Sequence, residues 1–529
     1  MQRRTFIHLA GTGVAGLFLP TGYPAFAQTG PESAPGNFRE AGVVDYEAFG
    51  AKGDGVTDDL QAIVDAHAYA NAHNLPVRSR PGVAYHLGYR KLTATIATDT
   101  DWNTSRFTID DSDHEKLETH RHTIFEVRSQ LPAVDLTLPP LTRDQTRIDV
   151  HPERDCYVRV RSKGKRIYIR RGLNPTRGTL PGDCFILRQD GSIEGPIDWE
   201  HNEYDRINTH AIDKHRLTVT GGVFTTFANR IHQDEGYNYW SRNIVVRRSN
   251  TEIAGLTHYV VGETDVGRPY TGFLSVRDCA DVTLRDCFAT GHKIYRTIGR
   301  ANKPVSMGTY DYSANGVVNF SMIGCTQNHI LDRSRWGVIG TNHCKNILLE
   351  DCRLSRMDTH MGVSGGYTIR RTTLGHAGLN AIGRGRLTVE ESTIYGRSLI
   401  GLRGDYGSTW EGDVVIRNSR WIPAAGRQTT PRLIGLRNDG MHDFGYPCSM
   451  PSKITIDGLY VDDRNHPEDY EGMYFLSNPD GSRDLPEKRP YPYAHCKKIV
   501  VKGLTTASGL PPKVCANASV ASSVVVEKV

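Results

Sequence analysis

Several features that would identify common classes of protein are absent from this sequence. It contains no Cys-x-x-Cys pair and no His/Cys group with zinc-ligand spacing, which argues against a structural zinc site. It contains no dense block of Lys and Arg, so its formal charge of +5 favours an acidic partner only weakly and gives no argument for nucleic acid. Past residue 27, no segment reaches the roughly 20 consecutive apolar residues that span a bilayer.

The composition favours a soluble protein that is rich in strands and turns. Hydrophobic residues make up 38% of the chain and charged residues 23%, and glycine is abundant at 53 residues, which fits β-structure better than a helical bundle. A chain of 529 residues can bury a large core. Length alone would suggest several domains, but internal repeats change that expectation.

Residues 1–27 have the pattern of an export signal. Arg3 and Arg4 precede an apolar stretch, and Ala25-Phe26-Ala27 provides a small-x-small cleavage site. The arginine pair followed by Thr-Phe-Ile resembles a twin-arginine signal, and an ordinary Sec signal is the alternative. We therefore expect the twin-arginine export machinery as a partner, and a periplasmic or secreted location after the signal peptide is cleaved.

Beyond about residue 215, a short β-rich hexamer recurs along the chain. Its β-branched residues alternate with polar ones, as in a half-buried strand, and Asn, Asp and Gly flank most copies. The copies begin at Leu217, Ile244, Val282, Phe320, Ile347, Thr368, Leu387, Val414, Ile454 and Ile499. Their starts are about 20 to 45 residues apart, which is typical of a solenoid whose coils share a minimum length and carry insertions.

The cysteines follow the same repeat. Cys287, Cys325 and Cys352 occupy the sixth position of three successive hexamers, and Cys279 and Cys344 each precede one of them by the same interval. Equivalent positions of stacked coils lie about 4.8 Å apart. We therefore expect a ladder of interior thiols that pack as small hydrophobic side chains, and folding before export favours their reduced state.

The segment FGAKGDGVTDDLQAI, residues 49–63, predicts a tight turn that leads into an amphipathic helix. Gly53 and Gly55 permit unusual backbone angles, and the run Thr57-Asp58-Asp59 suits a helix start. A cation or phosphate loop is an alternative for Gly-Asp-Gly, although the Lys-Ser/Thr of a P-loop is missing. We expect the helix to cover the open N-terminal end of the solenoid, because a stack of coils needs a cap.

This phrase and the repeated hexamers together resemble the pectate-lyase-like superfamily of carbohydrate-active proteins, over roughly residues 43–505. The resemblance implies an all-β fold, a right-handed parallel β-helix with an N-terminal capping helix. It does not specify the reaction, because the fold hosts lyases, hydrolases, epimerases and phage depolymerases. The implied organisation is a signal peptide (1–27), a linker (28–42), a cap strand and helix (43–84), an irregular insertion with the first coils (85–214), the coils with the active-site cleft (215–505), and a C-terminal tail or final strand (506–529).

Polar side chains recur just upstream of the small apolar segments that precede several hexamers. Aligning those segments places the following in one column: Arg268 and Tyr270, Tyr310 to Tyr312, Arg333 and Arg335, Asp358 and His360, and Asn380. His292, Lys293 and His376 lie on neighbouring turns. A plain solvated wall would carry Thr, Ser, Lys and Glu instead. The column therefore predicts a functional cleft on one outer face.

The residue types in this column suit β-elimination in a polymer of uronic acids. The reaction needs a cation to neutralise the carboxylate, a base to remove the C5 proton and an acid to protonate the departing O4. Arginine can bind a carboxylate through two parallel hydrogen bonds, and His or Tyr can transfer protons at hydrogen-bond distance. We expect Arg335 to bind the carboxylate, His360 to act as base, and Tyr312 or Tyr310 to act as acid.

The other members of the column have supporting roles. Asp311 and Asp358 either orient His360 or bind a cation; the resemblance allows Ca²⁺, although no oxygen cluster of EF-hand type is present. No other cofactor is indicated. The expected substrate-binding residues are Arg333, Asn380, Arg268, Tyr270, Lys293, His292 and His376.

Structural roles remain open for the two central residues. His360 could be an ordinary turn histidine, and Arg335 could pair with Asp332 or Asp358. Arginine and histidine take such structural roles in many proteins, so the column indicates a catalytic cleft but does not exclude structural roles for these two residues.

Two other functions compete with the lyase. A hydrolase needs two carboxylates flanking the bond, and Asp311, Asp358 and Asp405 are available, but the ordered motifs of polygalacturonases are missing. The arginine-centred motifs of the original pectate lyases are missing too, so pectin does not follow as the substrate. The second alternative is a non-catalytic glycan-binding solenoid. The sequence favours a polysaccharide lyase that cleaves a uronate-containing acidic polysaccharide.

Overall fold

The chain folds as a right-handed parallel β-helix whose N-terminal end is covered by a helix. The computed structural model describes residues 42–112, 121–170, 177–228, 241–263, 272–291, 295–298, 304–307, 310–335, 338–423, 430–479 and 491–529. The segments predicted as signal peptide and linker lie outside these residues, except for Gly42. Among the described residues, no helix is long and apolar enough to cross a membrane.

The coils form a 30-stranded parallel sheet, and the first seven strands belong to its N-terminal end. They are β1 (Asp54–Asp58), β2 (Val77–Arg78), β3 (Ala84–Leu87), β4 (Ala94–Ile96), β5 (Thr100–Asp101), β6 (Arg106–Ile109) and β7 (Arg121–Val127). The next four form a separate antiparallel sheet: β8 (Cys156–Ser162), β9 (Gly182–Leu187), β10 (Ile193–Glu194) and β11 (Tyr204–Ala211).

The middle coils follow. Their strands are β12 (Leu217–Thr220), β13 (Val223–Phe227), β14 (Ser241–Val246), β15 (Thr251–Ala254), β16 (Thr257–Val261), β17 (Leu274–Arg285), β18 (Phe288–Ala289), β19 (Tyr295–Ile298), β20 (Pro304–Met307), β21 (Tyr310–Ile323), β22 (Thr326–Gln327), β23 (Val338–Asn342), β24 (Cys344–Glu350), β25 (Arg353–Thr359) and β26 (Val363–Arg370). Of these, β19 and β20 pair only with each other, as an antiparallel hairpin.

The remaining strands follow, and all but the pair at Cys448–Ser449 and Tyr493–Ala494 belong to the stack. They are β27 (Thr373–Ala381), β28 (Gly383–Glu390), β29 (Thr393–Gly396), β30 (Ser398–Leu402), β31 (Trp410–Pro423), β32 (Arg432–Gly435), β33 (Cys448–Ser449), β34 (Lys453–Val461), β35 (Tyr474–Leu476), β36 (Tyr493–Ala494), β37 (Lys498–Thr506) and β38 (Val525–Lys528). The helices are α1 (Leu60–His73) and α2 (Ala518–Ser522), with short 3-10 turns at Glu47–Phe49 and Gly404–Tyr406.

The predicted hexamers form one row of paired strands, with two corrections. The row begins at Leu217 and runs through Thr251, Val282, Phe320, Ile347, Tyr367, Leu387, Val414, Ile454 and Ile499. Ile244 belongs to a different side of the coil, where it pairs with Phe125 and Leu274. The hexamer placed at Thr368 begins one residue earlier. The first error arises because several strands of each coil carry the same apolar alternation, and the second lies beside a register shift between β24 and β26.

The cysteines lie where the repeat predicts. All ten cysteines are buried free thiols. The Sγ atoms of Cys287, Cys325 and Cys352 lie against backbone carbonyls of their own or the preceding coil. They pack in the continuous core that runs through the solenoid, so the predicted ladder of interior thiols is confirmed.

Helix α1 closes the N-terminal end of the core. Its residues Leu60, Ile63, Ala66 and Ala70 are fully buried in the same cluster as the coil interior. The Gly-Asp-Gly loop is held by the carboxylate of Asp59, which accepts backbone N–H bonds from Lys52 at 2.6 Å and Gly53 at 3.1 Å. The Gly-Asp-Gly loop is therefore a structural corner, because the Asp59 carboxylate beside it is bound by backbone N–H groups of the same chain.

The four-stranded antiparallel sheet forms an insertion with its own core. Val158, Val160, Phe185 and Leu187 are buried within it. A second face, which includes Tyr157 and Ile186, packs on Ala280 and Val318 of the coils. The insertion is therefore a separate layer that lies on one outer side of the solenoid.

A group of charges, which we call the Lys345 junction, ties the insertion to the coils. It consists of Asp183, Asp198, His201, Lys345, Ser364 and Arg384. The ammonium of Lys345 lies 2.5 Å from the carboxylate of Asp183, and both side chains are almost completely buried. Burial disfavours both charges, but their attraction outweighs it, so the pKa of Asp183 is lowered and that of Lys345 is raised.

Candidate active site

The structure reproduces part of the predicted column, because two of its members, Asp358 and Asn380, lie in one row across stacked strands. Strand pairing aligns Ser313 with Gly340 and Gly340 with Asp358. The neighbouring pair Met357–Leu379 aligns Asp358 with Asn380, and Asn380 is followed by Gly401. Polar residues and glycines therefore succeed one another along one side of the solenoid, about 4.8 Å apart.

Asp358 is the centre of a dense set of charged and polar contacts. Its carboxylate is fully buried. Nη1 of Arg403 donates to both of its oxygens at 3.0 Å, and Arg356 donates to Oδ2 as well. Nε2 of His360 lies 3.0 Å from Oδ2, and the hydroxyl of Tyr310 donates to the same oxygen at 3.2 Å. Four side chains from three different coils therefore converge on one acid.

These contacts determine the charge on Asp358. Burial raises the pKa of the carboxyl, but the hydrogen bond from His360 and the charges of Arg356 and Arg403 outweigh it and hold that pKa well below its usual range. Asp358 is therefore ionised at neutral pH. A carboxylate in this state can orient and stabilise an imidazolium, but it cannot serve as a proton donor.

Tyr310 and His360 contact each other as well as Asp358. The phenol oxygen lies 3.1 Å from Nε2 of His360, and the rings meet edge to face. Burial, followed by the charge of Asp358, raises the pKa of Tyr310, so the phenol keeps its proton at neutral pH. His360 is 28% exposed, so the pair reaches the surface through the imidazole.

A glycine makes room for the tyrosine ring. A Cβ atom at Gly340 would lie 2.8 Å from Cε1 of Tyr310, which is closer than carbon atoms pack. The row therefore needs a residue without a side chain beside Asp358, and that gap is filled by the Tyr310 ring.

The cluster extends to a turn that follows β30. Nε and Nη2 of Arg403 donate to the carboxylate of Asp405 at 3.1 Å. Arg170, from the insertion, lies 2.7 Å from the same carboxylate and over the ring of Tyr406. We call this whole group the Asp358 cluster: Arg170, Tyr310, Arg356, Asp358, His360, Arg403, Asp405 and Tyr406.

Sequence reasoning missed the three arginines of the Asp358 cluster. Arg403 could have been found by extending the column one coil beyond Asn380, to the segment SLIGLRGDYG, whose Arg, Asp and Tyr are typical of the column. Arg356 sits next to a register shift in β25, which no periodic pattern predicts. Arg170 comes from the insertion, outside the repeat.

Tyr312 is the clearest correction to the predicted site. Its side chain is 1% exposed and belongs to the interior core. Strand alternation would place Tyr310 and Tyr312 on the same side, but a register shift between them turns Tyr310 outward and Tyr312 inward. Tyr312 therefore cannot reach a substrate, and Tyr310 is the tyrosine of the site.

Arg335 has a buried ion-pair partner instead of an open position. Its Nη1 lies 3.1 Å from a carboxylate oxygen of Glu263, which is almost completely buried, and donates to the carbonyl of Gly291. Its Nε lies 3.8 Å from Asp332, one of the pairings considered from the sequence. The guanidinium thus ties two loops together, and the cations beside His360 and Tyr310 are Arg356 and Arg403.

The predicted pairing of Asp311 and Asp358 around a cation does not fit the geometry. Asp311 accepts a hydrogen bond from Nε2 of Gln327 at 2.5 Å. The oxygens of Asp358 face two guanidinium groups, whose positive charge opposes a second cation at the same place. Within the part of the chain that the structure describes, no three His, Cys, Asp or Glu side chains are arranged to hold a metal ion.

The remaining predicted residues fall into three groups. Arg333 is exposed on the turn before Arg335, and the imidazole of His376 contacts the carbonyl of Ile330 at 3.2 Å. Asn380 lies in the row beyond Asp358. The predicted residues outside the described part of the chain are Arg268, Tyr270, His292 and Lys293.

A groove of about 450 Å³ adjoins the Asp358 cluster. It starts at Asn380, the row neighbour of Asp358, and at Gly404, which lies between Arg403 and Asp405. It continues over Gly401 and Gly435, and three arginines, Arg397, Arg432 and Arg437, line it. The cluster therefore lies at one end of an elongated surface that follows the coils.

The Asp358 cluster carries a net positive charge. Its three guanidinium groups face two carboxylates, which leaves one positive charge when His360 is neutral. A site of this kind attracts an anionic substrate and stabilises negative charge that develops during a reaction. It also holds a histidine and a protonated tyrosine at hydrogen-bond distance, which are the groups that proton transfer requires.

Comparison with known proteins finds one short sequence match. No protein-family model matches the chain. A depolymerase of Klebsiella phage P510, described as specific for capsule KL64, is 33% identical over 94 residues, and the match covers 16% of this chain. The chain spans only 9% of the length of that relative.

Solved structures resemble the chain over most of its length but only distantly. Tailspike gp54 of Acinetobacter baumannii bacteriophage AP22, in complex with capsular saccharide, has a TM-score of 0.49 at 9% identity, covering 92% of this chain and 80% of that one. Tailspike gp61 of Pseudomonas phage phi297 has a TM-score of 0.47 at 13% identity, covering 92% and 83%. PfbA, a surface adhesin of Streptococcus pneumoniae, has 0.43 at 10%, covering 90% and 93%. Similarity this distant carries no inference about activity.

Proposed function

We propose that this protein is a polysaccharide lyase that cleaves a uronate-containing acidic polysaccharide by β-elimination at the Asp358 cluster. One observation carries the proposal: His360, protonated Tyr310 and ionised Asp358 contact one another beside a positive excess of arginines. These are the acid, base and charge-neutralising groups that elimination needs. The short match to a capsule depolymerase is consistent with a polysaccharide substrate.

In this mechanism the arginines act first, on the substrate carboxylate. The positive charge of the cluster, with Arg403 at its centre and Arg170 at its exposed edge, offsets the carboxylate charge next to C5. This makes the C5 proton easier to remove, because the carbanion that forms spreads its charge into the carboxylate. Preorganised cations in a partly buried site are worth more here than in water.

His360 and Tyr310 then transfer the protons. His360 takes the C5 proton, and Asp358, 3.0 Å away, stabilises the imidazolium. The C4–O4 bond breaks, a double bond forms between C4 and C5, and Tyr310 gives its proton to the departing O4. The 3.1 Å contact between the phenol and the imidazole then allows the proton to return to Tyr310. Tyr310 thereby regains its proton and His360 its neutral charge, and no water is consumed.

Hydrolysis is less well supported at this cluster. A glycosidase needs a carboxylic acid that keeps its proton until it donates it to the leaving oxygen, so its pKa must be raised. Asp358 has the opposite shift, because Arg356, Arg403 and His360 hold its pKa low. The proposed lyase needs no protonated carboxyl, since its acid is a tyrosine.

We also propose that the lyase acts outside the cytoplasm, after export through the twin-arginine pathway. The proposal rests on the sequence of residues 1–27 alone. Cleavage of a long polysaccharide in the periplasm or outside the cell is consistent with such a location.

Absorbance spectroscopy tests the reaction, because a 4,5-unsaturated uronate absorbs in the ultraviolet and a saturated one does not. We would incubate the purified protein with galacturonan, alginate, chondroitin and a neutral glucan, each with calcium or with a chelator. The proposal predicts rising absorbance with at least one acidic glycan and none with the glucan. New reducing ends without absorbance would contradict elimination and favour hydrolysis, whereas glycan binding without either product would favour the binding solenoid.

A further inference from the structure

The floor of the groove beside the Asp358 cluster is made of glycines and of the polar side chains of Asn380 and Ser398 that lie over them. Asp358 is followed along the row by Asn380, Gly401 and Gly435. A Cβ at Gly401 would lie 2.8 Å from Oδ1 of Asn380. The two steps between coils from Asn380 to Gly435 span about 10 Å, so the groove is long enough for a short oligosaccharide.

The walls of the groove are basic. Arg397 and Arg437 are exposed, and Arg432 is half-buried. The described residues that line the groove include no aspartate or glutamate. Among the described residues, Arg432 and Arg437 form no ion pair, and Nη1 of Arg432 donates to the carbonyl of Thr430 at 2.7 Å.

This arrangement differs from that of most arginines elsewhere on the coils. Arg370 and Arg371 pair with Glu350, and Arg420 and Arg464 pair with Asp462, so their charges are offset within the chain. In the groove, the guanidinium groups of Arg432 and Arg437 form no ion pair among the described residues and stand beside the amide of Asn380. Guanidinium groups suit carboxylate and sulfate geometry, because they donate two parallel hydrogen bonds.

We infer that this groove binds the anionic sugar units adjacent to the unit that reacts at the Asp358 cluster. Arg432 and Arg437 recognise the carboxylate or sulfate groups of those units, and the small polar surface formed by Gly401, Gly435, Asn380 and Ser398 accommodates their rings. The substrate is then a polymer that carries anionic groups at regular intervals, and not a neutral chain with a single uronate. The location of the reacting sugar unit rests on the proposed function, whereas the binding of anionic units in the groove does not.

Calorimetric titration tests the groove separately from the reaction. The protein would carry His360→Gln, so that no probe is consumed, and the probes would be tetrasaccharides of galacturonan, chondroitin, sulfated chondroitin and a neutral glucan. We expect binding of acidic probes and no binding of the glucan. Adding Arg432→Gln and Arg437→Gln together should weaken binding about tenfold or more, because each charge-assisted contact contributes substantially.

A matched control is Arg386→Gln. Arg386 is exposed on β28, lies outside the groove and forms no ion pair among the described residues. The substitution Arg386→Gln removes one positive charge, as Arg437→Gln does, and should leave the dissociation constant for the acidic probes unchanged. The single variant Arg437→Gln, at an exposed position, keeps the test valid if the double variant folds poorly, and it should weaken binding by a smaller factor.

The outcomes separate this inference from the proposed reaction. Binding that is lost in the groove variants, in a protein whose wild type yields no unsaturated product, would support the groove and contradict the lyase. Equal binding of neutral and acidic probes, binding unaffected by the groove variants, or no binding of any probe would each overturn the inference. Tighter binding of sulfated than of unsulfated chondroitin would identify sulfate as the recognised group, and equal binding would identify the carboxylate.

Discussion

The Asp358 cluster and the Lys345 junction both bury acids beside bases, but they differ in charge balance and in access. In the Lys345 junction, Lys345 and Arg384 face Asp183 and Asp198, Arg384 also pairs with the exposed Asp144, and Lys345 and Asp183 are almost completely buried. In the Asp358 cluster, three guanidinium groups face two acids, and His360 and Arg170 remain partly exposed. The Lys345 junction has no excess of positive charge and holds two layers together, whereas the Asp358 cluster has such an excess and exposes its imidazole, so it can act on an anionic ligand.

The largest expected effect is that of Asp358→Asn, because the substitution removes both a buried charge and the acid that orients His360. Removing the charge leaves Arg356 and Arg403 without their shared partner, which should cost about 3–5 kcal/mol of unfolding free energy at neutral pH. Activity should be lost as well, because His360 loses its orienting acid. Denaturant unfolding and absorbance assays would measure the two effects. The control Asp457→Asn removes a surface ion pair with Lys502 and should cost less than about 1 kcal/mol.

The difference in stability between wild type and Asp358→Asn should depend on pH, because the pKa of Asp358 is lowered in the folded protein. In the unfolded chain the carboxyl titrates near pH 3.9, whereas in the folded chain it stays ionised to lower pH. The stabilisation is therefore fully present above about pH 3.9 and is lost as the pH falls below that value. Wild type and Asp358→Asn should converge in stability under acid conditions; a gap that widened as the pH fell would contradict this account.

Lys345→Met should affect stability by a similar amount but leave the chemistry intact. The substitution leaves Asp183 buried without its cation, so we expect a loss of about 3–5 kcal/mol in unfolding free energy. At temperatures where the variant stays folded, kcat should change little, since the Lys345 junction does not touch the Asp358 cluster. The surface variant Lys498→Met, which breaks an exposed pair with Glu527, is the control. A large loss of kcat in folded Lys345→Met would show that the two networks are coupled.

His360→Gln should show the opposite pattern. Loss of a general base lowers kcat by about 10²–10⁴, while the partly exposed side chain contributes little to stability. Steady-state kinetics and thermal unfolding would be compared with His151→Gln, an exposed histidine of the insertion. If His360→Gln kept wild-type kcat, the imidazole would be structural and the proposed base would be wrong.

The smallest effect is expected from Gly340→Ala. The new methyl group would meet the ring of Tyr310 and displace its phenol from His360, so we expect roughly a tenfold loss of kcat within the range typical of misplaced acid–base groups. Gly366→Ala is a matched control, because its Cβ would find its nearest neighbour at 3.8 Å. Equal kinetics in the two variants would argue against a catalytic role for Tyr310.

The sequence predicted the solenoid well because every coil repeats the same physical requirement. Each strand must bury one face on its neighbours, so apolar alternation and the interior thiols at Cys287, Cys325 and Cys352 recur in register. The same logic brought Tyr310, Asp358 and His360 into one prediction. Where the chain departs from periodicity, as at the register shift before Tyr312, the prediction kept both Tyr310 and Tyr312 as candidate acids, although only Tyr310 faces outward.

Contacts between distant segments lie beyond such reasoning. The pairing of Arg335 with Glu263 joins two loops, and Arg170 reaches Asp405 from the insertion. Neither contact follows from a repeat, because no periodic pattern fixes how a loop or an inserted sheet packs on the coils.

Mass balance of the products tests the central claim, elimination at the Asp358 cluster, most directly. The wild-type protein and His360→Gln would each be incubated with an acidic oligosaccharide of defined length that the absorbance assay identifies as a substrate. We predict wild-type fragments whose masses sum to that of the intact substrate, because elimination consumes no water, and almost no fragments with His360→Gln. Fragments that together exceed the substrate by one water molecule, or undiminished cleavage by His360→Gln, would contradict the account.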